Sequence, residues 1–577
     1  MTKPASAALL AFLTFALAVP LPADEGSLDE AALIRRLDEL AAKHPGAVEL
    51  REIGRSRGDL PIRLAVLATP GERAKDERPA LLVVAGLDGS HLLGTELALS
   101  LAESLAASTD EKVLALLSGR TVYVIPRGNP DGAARFLASP ASGESGNDRA
   151  IDDDRDGLSN EDPPRDLDGD GHITSMRILD PEGDQAPLAE EPALLFPANR
   201  SRGERPTYKV YREGLDSDGD GEIAEDGENG VNIGVQFPHR FGELDDGAGT
   251  HAAMEPEARA LLDFVLAHPT IALALTLGLD DSLVADPKSG APEAGKPAIL
   301  VDPEDLPYYQ ELGKLYRERT GLSGKPREVP GGTFQEWAYF QFGIFSLSAR
   351  GWFVPSGEKP AEEVKEEGKK EGEGEKKEGE GEKKEGDGKE EKKEEPDEAR
   401  KAELARLALA RKWERGFREW TPFEHPTLGA IEIGGFVPGF DTNPPTTEVA
   451  GIVEKHAWLG PHLLGLLPDV HLADVAIREA GPGLWSVSAA VTNRGYLPLA
   501  TAQGRRASRP DPVVVRLAGE FELAGSRPEG YRQFVVWDLP GSGGRKEFEW
   551  LVSGTKSLAV ELSSRRGFSQ RVELEVR

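Results

Sequence analysis

The chain has 577 residues, more than a typical single domain, and 39% of them are hydrophobic, so it can form more than one folded core. Its formal net charge of -32 excludes nucleic acid as an expected partner, because phosphate backbones repel such a surface. The sequence has no cysteine, so its stability has to come from packing or bound metal and not from disulfides.

The first residues have the pattern of an export signal. Lys3 precedes an apolar run from Ala5 to Val19, and small residues follow it before Asp24. The run is too short to span a bilayer, so it predicts a signal peptide over 1–23 and not a membrane anchor. We therefore expect a secreted protein, periplasmic or extracellular, without a transmembrane segment.

Helices and buried strands alternate over residues 24–355. Apolar residues at helical spacing predict an amphipathic helix over 29–44, and short, wholly apolar runs predict strands buried on both faces. This order predicts a mixed, largely parallel sheet between layers of helices, an α/β fold. The predicted strands are 80–85, 121–125, 271–277 and 345–349, and the later predicted helices are 94–108, 257–266, 307–319 and 333–342.

Two stretches interrupt this pattern. Residues 145–230 form an acidic, loop-rich insert, and residues 356–397 repeat Lys, Glu and Gly with almost no apolar side chain. Such a composition buries too little surface to offset chain entropy, so we expect a disordered loop over 356–397. After a helix predicted over 397–415, residues 398–465 are expected to complete the α/β domain and connect it onward.

The pattern changes to period 2 near the C-terminus. Trp485, Val487, Ala489 and Val491 alternate with small or polar residues, and similar alternation recurs over 558–562 and 572–576. Alternating strands between Gly, Pro and Ser turns predict a second domain over 466–577, an antiparallel β-sandwich.

The acidic insert repeats one motif three times, in which alternating aspartates precede a glycine. Such loops wrap carboxylate oxygens around Ca²⁺, so we expect structural calcium here; the alternative is a solvated acidic loop. At the twelfth loop position Pro163, Arg177 and Gly227 replace the usual Glu, and Glu161, Asp162, Glu225 or Asp226 could supply that ligand. The motif aspartates are Asp152, Asp154 and Asp156, then Asp166, Asp168 and Asp170, then Asp216, Asp218 and Asp220.

Six segments in order resemble those of the carboxypeptidase A-like zinc metallopeptidases. The resemblance implies a three-layer α/β/α carboxypeptidase-like domain over 24–355 that carries the insert 145–230. The segments are "IGRSRGDLPI" (53–62), "LVVAGLDGSHLLGTELAL" (82–99), "VIPRGNPDGAARF" (124–136), "GVNIGVQFPHRF" (230–241), "EPEARALLDFV" (255–265) and "GGTFQEWAYFQFGIFSLSARGW" (331–352).

The resemblance also locates the positions at which that family holds zinc and performs catalysis. The family binds zinc through a His-x-x-Glu turn and a later His, and a Glu acts as general base. Here the first two ligand positions carry Asp88 and His91, the third falls on Gly278, and the general base position falls on Arg350. An arginine stays charged and has no acceptor atom.

The positions that bind the substrate's terminal carboxylate differ as well. The family uses an Asn-Arg pair because the guanidinium makes bidentate hydrogen bonds with a carboxylate. This chain has Gly234 and Val235 at those positions. By the same resemblance, Arg149 corresponds to the family's oxyanion arginine.

We interpret the chain as a noncatalytic pseudopeptidase that contains calcium, lacks zinc, and binds an unidentified peptide, glycan or protein. One alternative is an active zinc carboxypeptidase with a rewired site, in which Asp280 or Asp281 replaces Gly278. It would remove C-terminal residues from peptides or peptidoglycan stems. Another is a structural adhesion module that acts through the β-sandwich.

Overall fold

The computed structural model describes residues 28–355 and 396–575, apart from 153–156, 158, 161, 201–202, 226, 228–229, 244, 246, 294, 510 and 525–531. The predicted signal peptide, and the predicted Lys/Glu/Gly loop up to residue 395, lie outside the described residues. Within the described ranges, no helix combines the length and the apolar character that crossing a membrane requires.

The strands in the described part of the chain fall into three sheets. In chain order they are β1 (Val48–Arg55), β2 (Pro61–Leu67), β3 (Ala80–Ala85), β4 (Thr121–Ile125), β5 (Ser175–Leu179), β6 (Gln185–Pro187), β7 (Leu195–Pro197), β8 (Tyr208–Arg212), β9 (Ile271–Leu277), β10 (Phe345–Ala349), β11 (Phe417–His425), β12 (Gly429–Phe436), β13 (Val470–Gly481), β14 (Leu484–Asn493), β15 (Val513–Leu523), β16 (Gln533–Val536), β17 (Gly544–Ser563) and β18 (Ser569–Leu574).

The helices flank these sheets or connect their strands. In chain order they are α1 (Glu30–Lys43), α2 (Leu92–Ala106), α3 (Glu111–Gly119), α4 (Pro130–Phe136), α5 (Pro256–Ala267), α6 (Leu306–Thr320), α7 (Phe334–Trp337), α8 (Pro396–Ala410), α9 (Thr446–His456), α10 (Leu459–Leu466) and α11 (Ala502–Arg506).

The first sheet has the order β1-β2-β4-β3-β9-β10. The pairs β4–β3, β3–β9 and β9–β10 are parallel, whereas β1 and β2 are antiparallel to their neighbours. This confirms the predicted mixed, largely parallel sheet. Its central strands are buried on both faces, as their continuous apolar sequences require.

Helices cover both faces of this sheet. On one face, Leu82 and Val84 of β3 pack in a cluster with Leu261 and Val265 of α5. On the other, side chains of β9 line a small apolar cavity with residues of α2, α9 and α10. The domain is therefore a three-layer α/β/α structure.

By its internal contacts the chain divides into two compact units. The first contains the described residues up to Ile173, Arg212–Phe353 and those from Asp441 onward; the second contains the described residues of Thr174–Tyr211 and Val354–Phe440. The second unit joins part of the insert to residues after the Lys/Glu/Gly loop. Its sheet has the order β11-β12-β5-β8-β6-β7.

The C-terminal sheet is antiparallel and sandwich-like, as predicted. Strand β17 pairs with β14 through its first half and with β15 and β18 through its second half. Gly554 lies between the two halves with a φ of +61°, a backbone conformation that glycine adopts without steric cost. The strands enclose one apolar core that includes Val487, Trp550 and Val560.

The C-terminal sheet is hydrogen-bonded to the α/β domain within the same unit. The buried guanidinium of Arg566 donates to the carbonyl oxygens of Leu499 and of Ile271, the first residue of β9. The carboxylate of Asp305 accepts hydrogen bonds from the backbone N–H groups of Ala502 and Gln503. Polar groups that are buried this way need such partners, so the contact is specific.

Predicted strand bounds were more accurate than helix bounds. The four predicted strands of the first sheet coincide with β3, β4, β9 and β10. The helix predicted over 333–342 is α7 followed by a π-helical turn, Ala338–Phe342, and the helix predicted over 397–415 ends at Ala410.

Candidate functional site

The candidate site lies at the carboxyl ends of β3, β9 and β10, where three loops begin. The loop after β3 contains Asp88 and His91, β9 is followed by Gly278, and β10 is followed by Arg350. Carboxyl ends of parallel strands share one edge of a sheet, which is where α/β folds form their sites. The structure thus brings together all four positions that the resemblance implied.

Asp88 is held by its own loop. One carboxylate oxygen accepts hydrogen bonds from the backbone N–H and the hydroxyl of Ser90, at 2.9 and 2.5 Å. The other lies 3.2 Å from the side-chain nitrogen of Asn232. The first contact is a local side-chain-to-backbone bond of the kind that shapes turns.

His91 is 1% exposed, and its ring contacts the main chain of Arg350. Nε2 lies 3.1 Å from the carbonyl oxygen of Arg350, so Nε2 carries the proton and donates it. Nδ1 is buried without a hydrogen-bond partner, and a Cβ added at Gly94 would lie 2.8 Å from it. Burial, with repulsion from the Arg350 guanidinium, lowers the pKa of His91 to about 4, so the imidazole is neutral at pH 7.

Arg350 is half-buried, and its guanidinium contacts a backbone carbonyl and an aromatic ring. One of its terminal nitrogens donates to the carbonyl oxygen of Asp441 at 2.8 Å, and its Cζ lies 5.5 Å from the ring centroid of Phe353. The backbone N–H of Arg350 donates to Asp281 at 2.9 Å. This position therefore carries a fixed cation.

Asp280 and Asp281, the alternatives to Gly278 as a third ligand, both bind protein donors. Asp281 accepts from the backbone N–H groups of Leu283 and Val284, in addition to Arg350. Asp280 accepts from Arg327 at 2.7 Å and from Gln335 at 2.6 Å. Both carboxylates are buried, and these bonds compensate for the loss of water.

The two positions of the lost Asn-Arg pair lie next to Asp88. Gly234 and Val235 belong to a short 3₁₀ turn that begins after Asn232, whose side chain accepts from the N–H of Gly234. A Cβ added at Gly234 would lie 3.8 Å from the backbone nitrogen of Asp88. The turn thus borders the candidate site, but neither residue offers a polar side-chain atom.

Arg149 is bound to a buried carboxylate. Glu255 is fully buried and accepts hydrogen bonds from Arg149, from Arg57 at 2.8 Å and from Asn147 at 2.7 Å. Two cations thus balance one buried charge, which is the pairing that burial requires.

The described residues contain two groups of acidic side chains that lie close enough together to hold a metal ion, and both groups belong to the acidic insert. One comprises Asp166, Asp168 and Glu213, and the other comprises Asp216, Asp218 and Asp220, each with ligand atoms within 4.8 Å of one another. Asp88 and His91 belong to neither.

The structure describes two of the four remaining motif aspartates. Asp170 lies in the same loop as Asp166 and accepts from the backbone N–H of His172. Asp152 accepts from the N–H of Gly157, whereas Asp154 and Asp156 lie outside the described residues.

Glu213 was missed from the sequence. It stands alone in "YREGLD", 45 residues after Asp168, so no local spacing marks it as a ligand. Glu225, which the sequence suggested as an extra ligand, lies beside Asp162 and Asp220; burial, together with these carboxylates, raises the pKa of Glu225 to about 7.

Comparison with known proteins relates two parts of the chain to families. Residues 33–168 match the family model described as zinc carboxypeptidase, and residues 469–575 match one described as a domain of unknown function (DUF8731). The first match contains Asp88 and His91, whereas Gly278 and Arg350 lie beyond it.

Individual relatives are similar over parts of the chain. Carboxypeptidase E of Caenorhabditis elegans is 32% identical over 108 residues, which are 18% of this chain and 23% of that protein. The solved structure of thrombin activatable fibrinolysis inhibitor is 14% identical, with a TM-score of 0.33, over 56% of this chain and 68% of its own. The carboxypeptidase A of Helicoverpa armigera is also 14% identical, with a TM-score of 0.33, over 56% of this chain and 63% of its own.

The match over residues 33–168 and the order of the elements agree with the resemblance found in the sequence. The chain is similar to zinc carboxypeptidases over residues 33–168, and its α/β domain is carboxypeptidase-like.

Proposed function

We propose that this chain is an exported, carboxypeptidase-like protein that does not hydrolyse peptides and binds a peptide, glycan or protein partner. The observation that carries the proposal is the contact between His91 and Arg350. His91 stands where the family has a zinc ligand, and its Nε2–H donates to the carbonyl oxygen of Arg350. Arg350 stands where the family has its general base, and its side chain is a cation.

The zinc of the family does not fit the residues present. Zinc takes nitrogen or carboxylate ligands in a tetrahedral arrangement, with one position left for water. Here Asp88 binds Ser90 and Asn232, Nε2 of His91 donates to a carbonyl, and Gly278 has no side chain. The Arg350 guanidinium adds a positive charge, which raises the free energy of a second cation nearby.

The groups that would act on a peptide substrate are also replaced. A general base needs an acceptor within hydrogen-bond reach of the water that it activates, and Arg350 has none. Gly234 and Val235 offer no side chain to a terminal carboxylate, and Arg149 is bound to Glu255. The proposal therefore assigns no hydrolytic step to this site.

The cation in this proposal is calcium, bound in the acidic insert with a structural role. Calcium takes six to eight oxygen ligands, and the two acidic clusters offer carboxylate oxygens close together. A chain without cysteine also has no disulfide to order so polar a segment. The export step is supported by the pattern over residues 1–23.

The test combines metal content with an activity assay on the purified mature chain. After dialysis against trace zinc and calcium, elemental mass spectrometry should find calcium, and well under one zinc per chain. No C-terminal residue should be released from a mixed peptide library. Asp88→Asn should change neither result, and Asp110→Asn, at the N-cap of α3, is the matched control.

One zinc per chain that is lost in Asp88→Asn but kept in Asp110→Asn would overturn the proposal, as would peptide hydrolysis by the unsubstituted chain. Either result would favour the rewired carboxypeptidase.

A further inference from the structure

An open pocket lies on the second unit, where the turn after β5 meets the loop that leads into β8. Its volume is about 730 Å³, which is within the range of pockets that hold small ligands. The lining residues come from the turn, 179–181, and from the described residues of the loop, 200 and 203–207. The backbone N–H of Asp180 donates to the carbonyl oxygen of Thr207 at 2.9 Å, so a hydrogen bond joins these two segments.

The two carboxylates that line the pocket already have donors. Glu204 accepts from the backbone N–H of Asn199 at 2.9 Å and from the guanidinium of Arg400 at 2.5 Å. Asp180 accepts from the backbone N–H of Glu182 at 2.8 Å. None of these donors is an arginine of the pocket, so the two carboxylates shape the pocket without neutralising its cations.

Two guanidinium groups line the same pocket. Arg200 and Arg205 are both exposed, and neither side chain has a hydrogen-bond acceptor or an ion-pair partner among the described residues. Carboxylates are abundant in a chain with a net charge of -32, yet these two arginines lack one. A guanidinium offers a planar set of N–H donors that matches a carboxylate. The pair is therefore available to an anion from outside the chain.

The pocket also has an apolar wall. Leu179 is 72% exposed, the highest value among the large hydrophobic side chains of the described residues. Pro181 and Pro206 line the pocket as well. Covering such a leucine is favourable, because it removes apolar area from water. The wall thus favours a ligand that carries an apolar group as well as a negative charge.

We infer that this pocket binds an acidic peptide segment, with a Glu or Asp carboxylate on Arg200 and Arg205 and an adjacent apolar side chain on Leu179. Charge complementarity and the apolar wall decide the kind of ligand. None of the described lining residues is aromatic, whereas sugar rings pack best on aromatic faces, so a glycan fits less well. The inference rests on the binding role proposed above and gives that role a place outside the former zinc site.

The experiment is equilibrium dialysis of the purified mature chain against two peptide pools. The first contains capped hexapeptides in which each position is Glu or Leu, and the second has Gln in place of Glu. An N-terminal acetyl group and a C-terminal amide remove the terminal charges, so the former carboxypeptidase site cannot hold these peptides by a terminal carboxylate. The chain should retain the Glu/Leu pool about tenfold more strongly, because charged hydrogen bonds contribute more than neutral ones.

Three variants locate the site. Arg200→Gln and Arg205→Gln should each weaken retention of the Glu/Leu pool about tenfold, and Leu179→Asn should weaken it to a similar extent. All three positions are exposed, so the unfolding midpoint in urea should stay unchanged. Arg415→Gln, the matched control, removes an exposed arginine of the same unit outside the pocket and should leave retention unchanged.

The outcomes separate this site from the proposed loss of hydrolysis. Retention of the Glu/Leu pool that is no stronger than that of the Gln/Leu pool, or that survives both arginine substitutions, would overturn the inference. Retention of trigalacturonate that depends on Arg200, without retention of the Glu/Leu pool, would also overturn it, because the ligand would then be an acidic glycan. Hydrolysis of uncapped peptides would overturn the proposed function but would leave the retention of the capped pools as it is.

Discussion

Nε2 of His91 lies 3.1 Å from the carbonyl oxygen of Arg350, although 259 residues separate them in the sequence. The contact spans the end of β9, because β9 lies between the strands that precede the two residues. Gly278 follows β9 at this point and adds no side chain. A histidine that could have bound metal thus connects two loops of the sheet edge.

This contact predicts how His91 variants behave. His91→Leu leaves the buried carbonyl of Arg350 without its donor and should lower the free energy of unfolding by about 1–3 kcal/mol. His91→Gln can keep an N–H donor and should cost less. Urea unfolding measures both. Added zinc should not raise the unfolding midpoint of the unsubstituted chain; a rise that His91→Gln abolishes would contradict this account.

The sequence predicted the first sheet well because burial on both faces leaves a local signature. The runs 80–85 and 271–277 are wholly apolar, and the strands coincide with them. The second unit left no such signature. Its sheet pairs β5 with β12, about 250 residues later, and Arg177 on β5 opposes Glu432 on β12. Strands with polar residues and distant partners are not visible as local periodicity.

The resemblance predicted which residues occupy the candidate site. It did not predict what their side chains bind, because that depends on contacts in the folded chain. The resemblance to the carboxypeptidases assigned Asp88, His91 and Arg350 to one site. That His91 would donate to a carbonyl, or that Arg149 would pair with Glu255, depends on side-chain orientation in the fold. Glu213 was missed for the same reason, since its partner loop lies about 45 residues away in sequence.

The buried guanidinium of Arg566 is expected to stabilise the contact between the C-terminal sheet and the α/β domain. It is 3% exposed and donates to the carbonyl oxygens of Leu499 and Ile271. Arg566→Met keeps most of the side-chain volume but leaves both acceptors unpaired, so the free energy of unfolding should fall by about 3 kcal/mol. Arg565→Met, at a neighbouring exposed residue, should change it by less than about 0.5 kcal/mol. If urea titrations gave the same loss of unfolding free energy for Arg566→Met and Arg565→Met, burial of the guanidinium would not explain the stabilisation.

Arg177 is expected to stabilise the sheet of the second unit. Its guanidinium lies between the rings of Tyr208 and Trp420, at 4.7 and 4.3 Å from their centroids, and pairs with Glu432. Arg177→Lys loses the planar stacking and should cost about 1–2 kcal/mol. Hydrogen exchange of the β5 and β12 amides reports this cost for the second unit alone.

The matched control for Arg177 is Lys209, an exposed cation 4.7 Å from the ring centroid of Tyr211. Lys209→Met should change the same amides little, because an exposed cation–π contact contributes about 0.5–1 kcal/mol. If the β5 and β12 amides exchanged faster in Lys209→Met than in Arg177→Lys, burial of the Arg177 guanidinium would not be what stabilises this sheet.

His456 should make the protein less stable in acid. Its Nδ1 donates to the carbonyl oxygen of Ile452, and its Nε2 accepts from the hydroxyl of Tyr316 at 2.8 Å, so the buried ring is neutral. Burial lowers its pKa from 6.5 to about 4. The unfolded chain therefore binds a proton that the folded chain does not. The contribution of His456 to the free energy of unfolding has its full value above pH 6.5. It decreases as the pH drops towards 4, by about 3 kcal/mol in total.

The measurement is the free energy of unfolding of His456→Gln and of the unsubstituted chain between pH 7 and pH 4. Gln can still accept from Tyr316 but does not titrate, so the variant should lose stability less steeply as the pH falls. His251→Gln, which removes an exposed histidine, should retain the full slope. If His456→Gln and the unsubstituted chain had the same slope, the buried neutral imidazole would not be the source of the acid sensitivity, and the lowered pKa of His456 would be wrong.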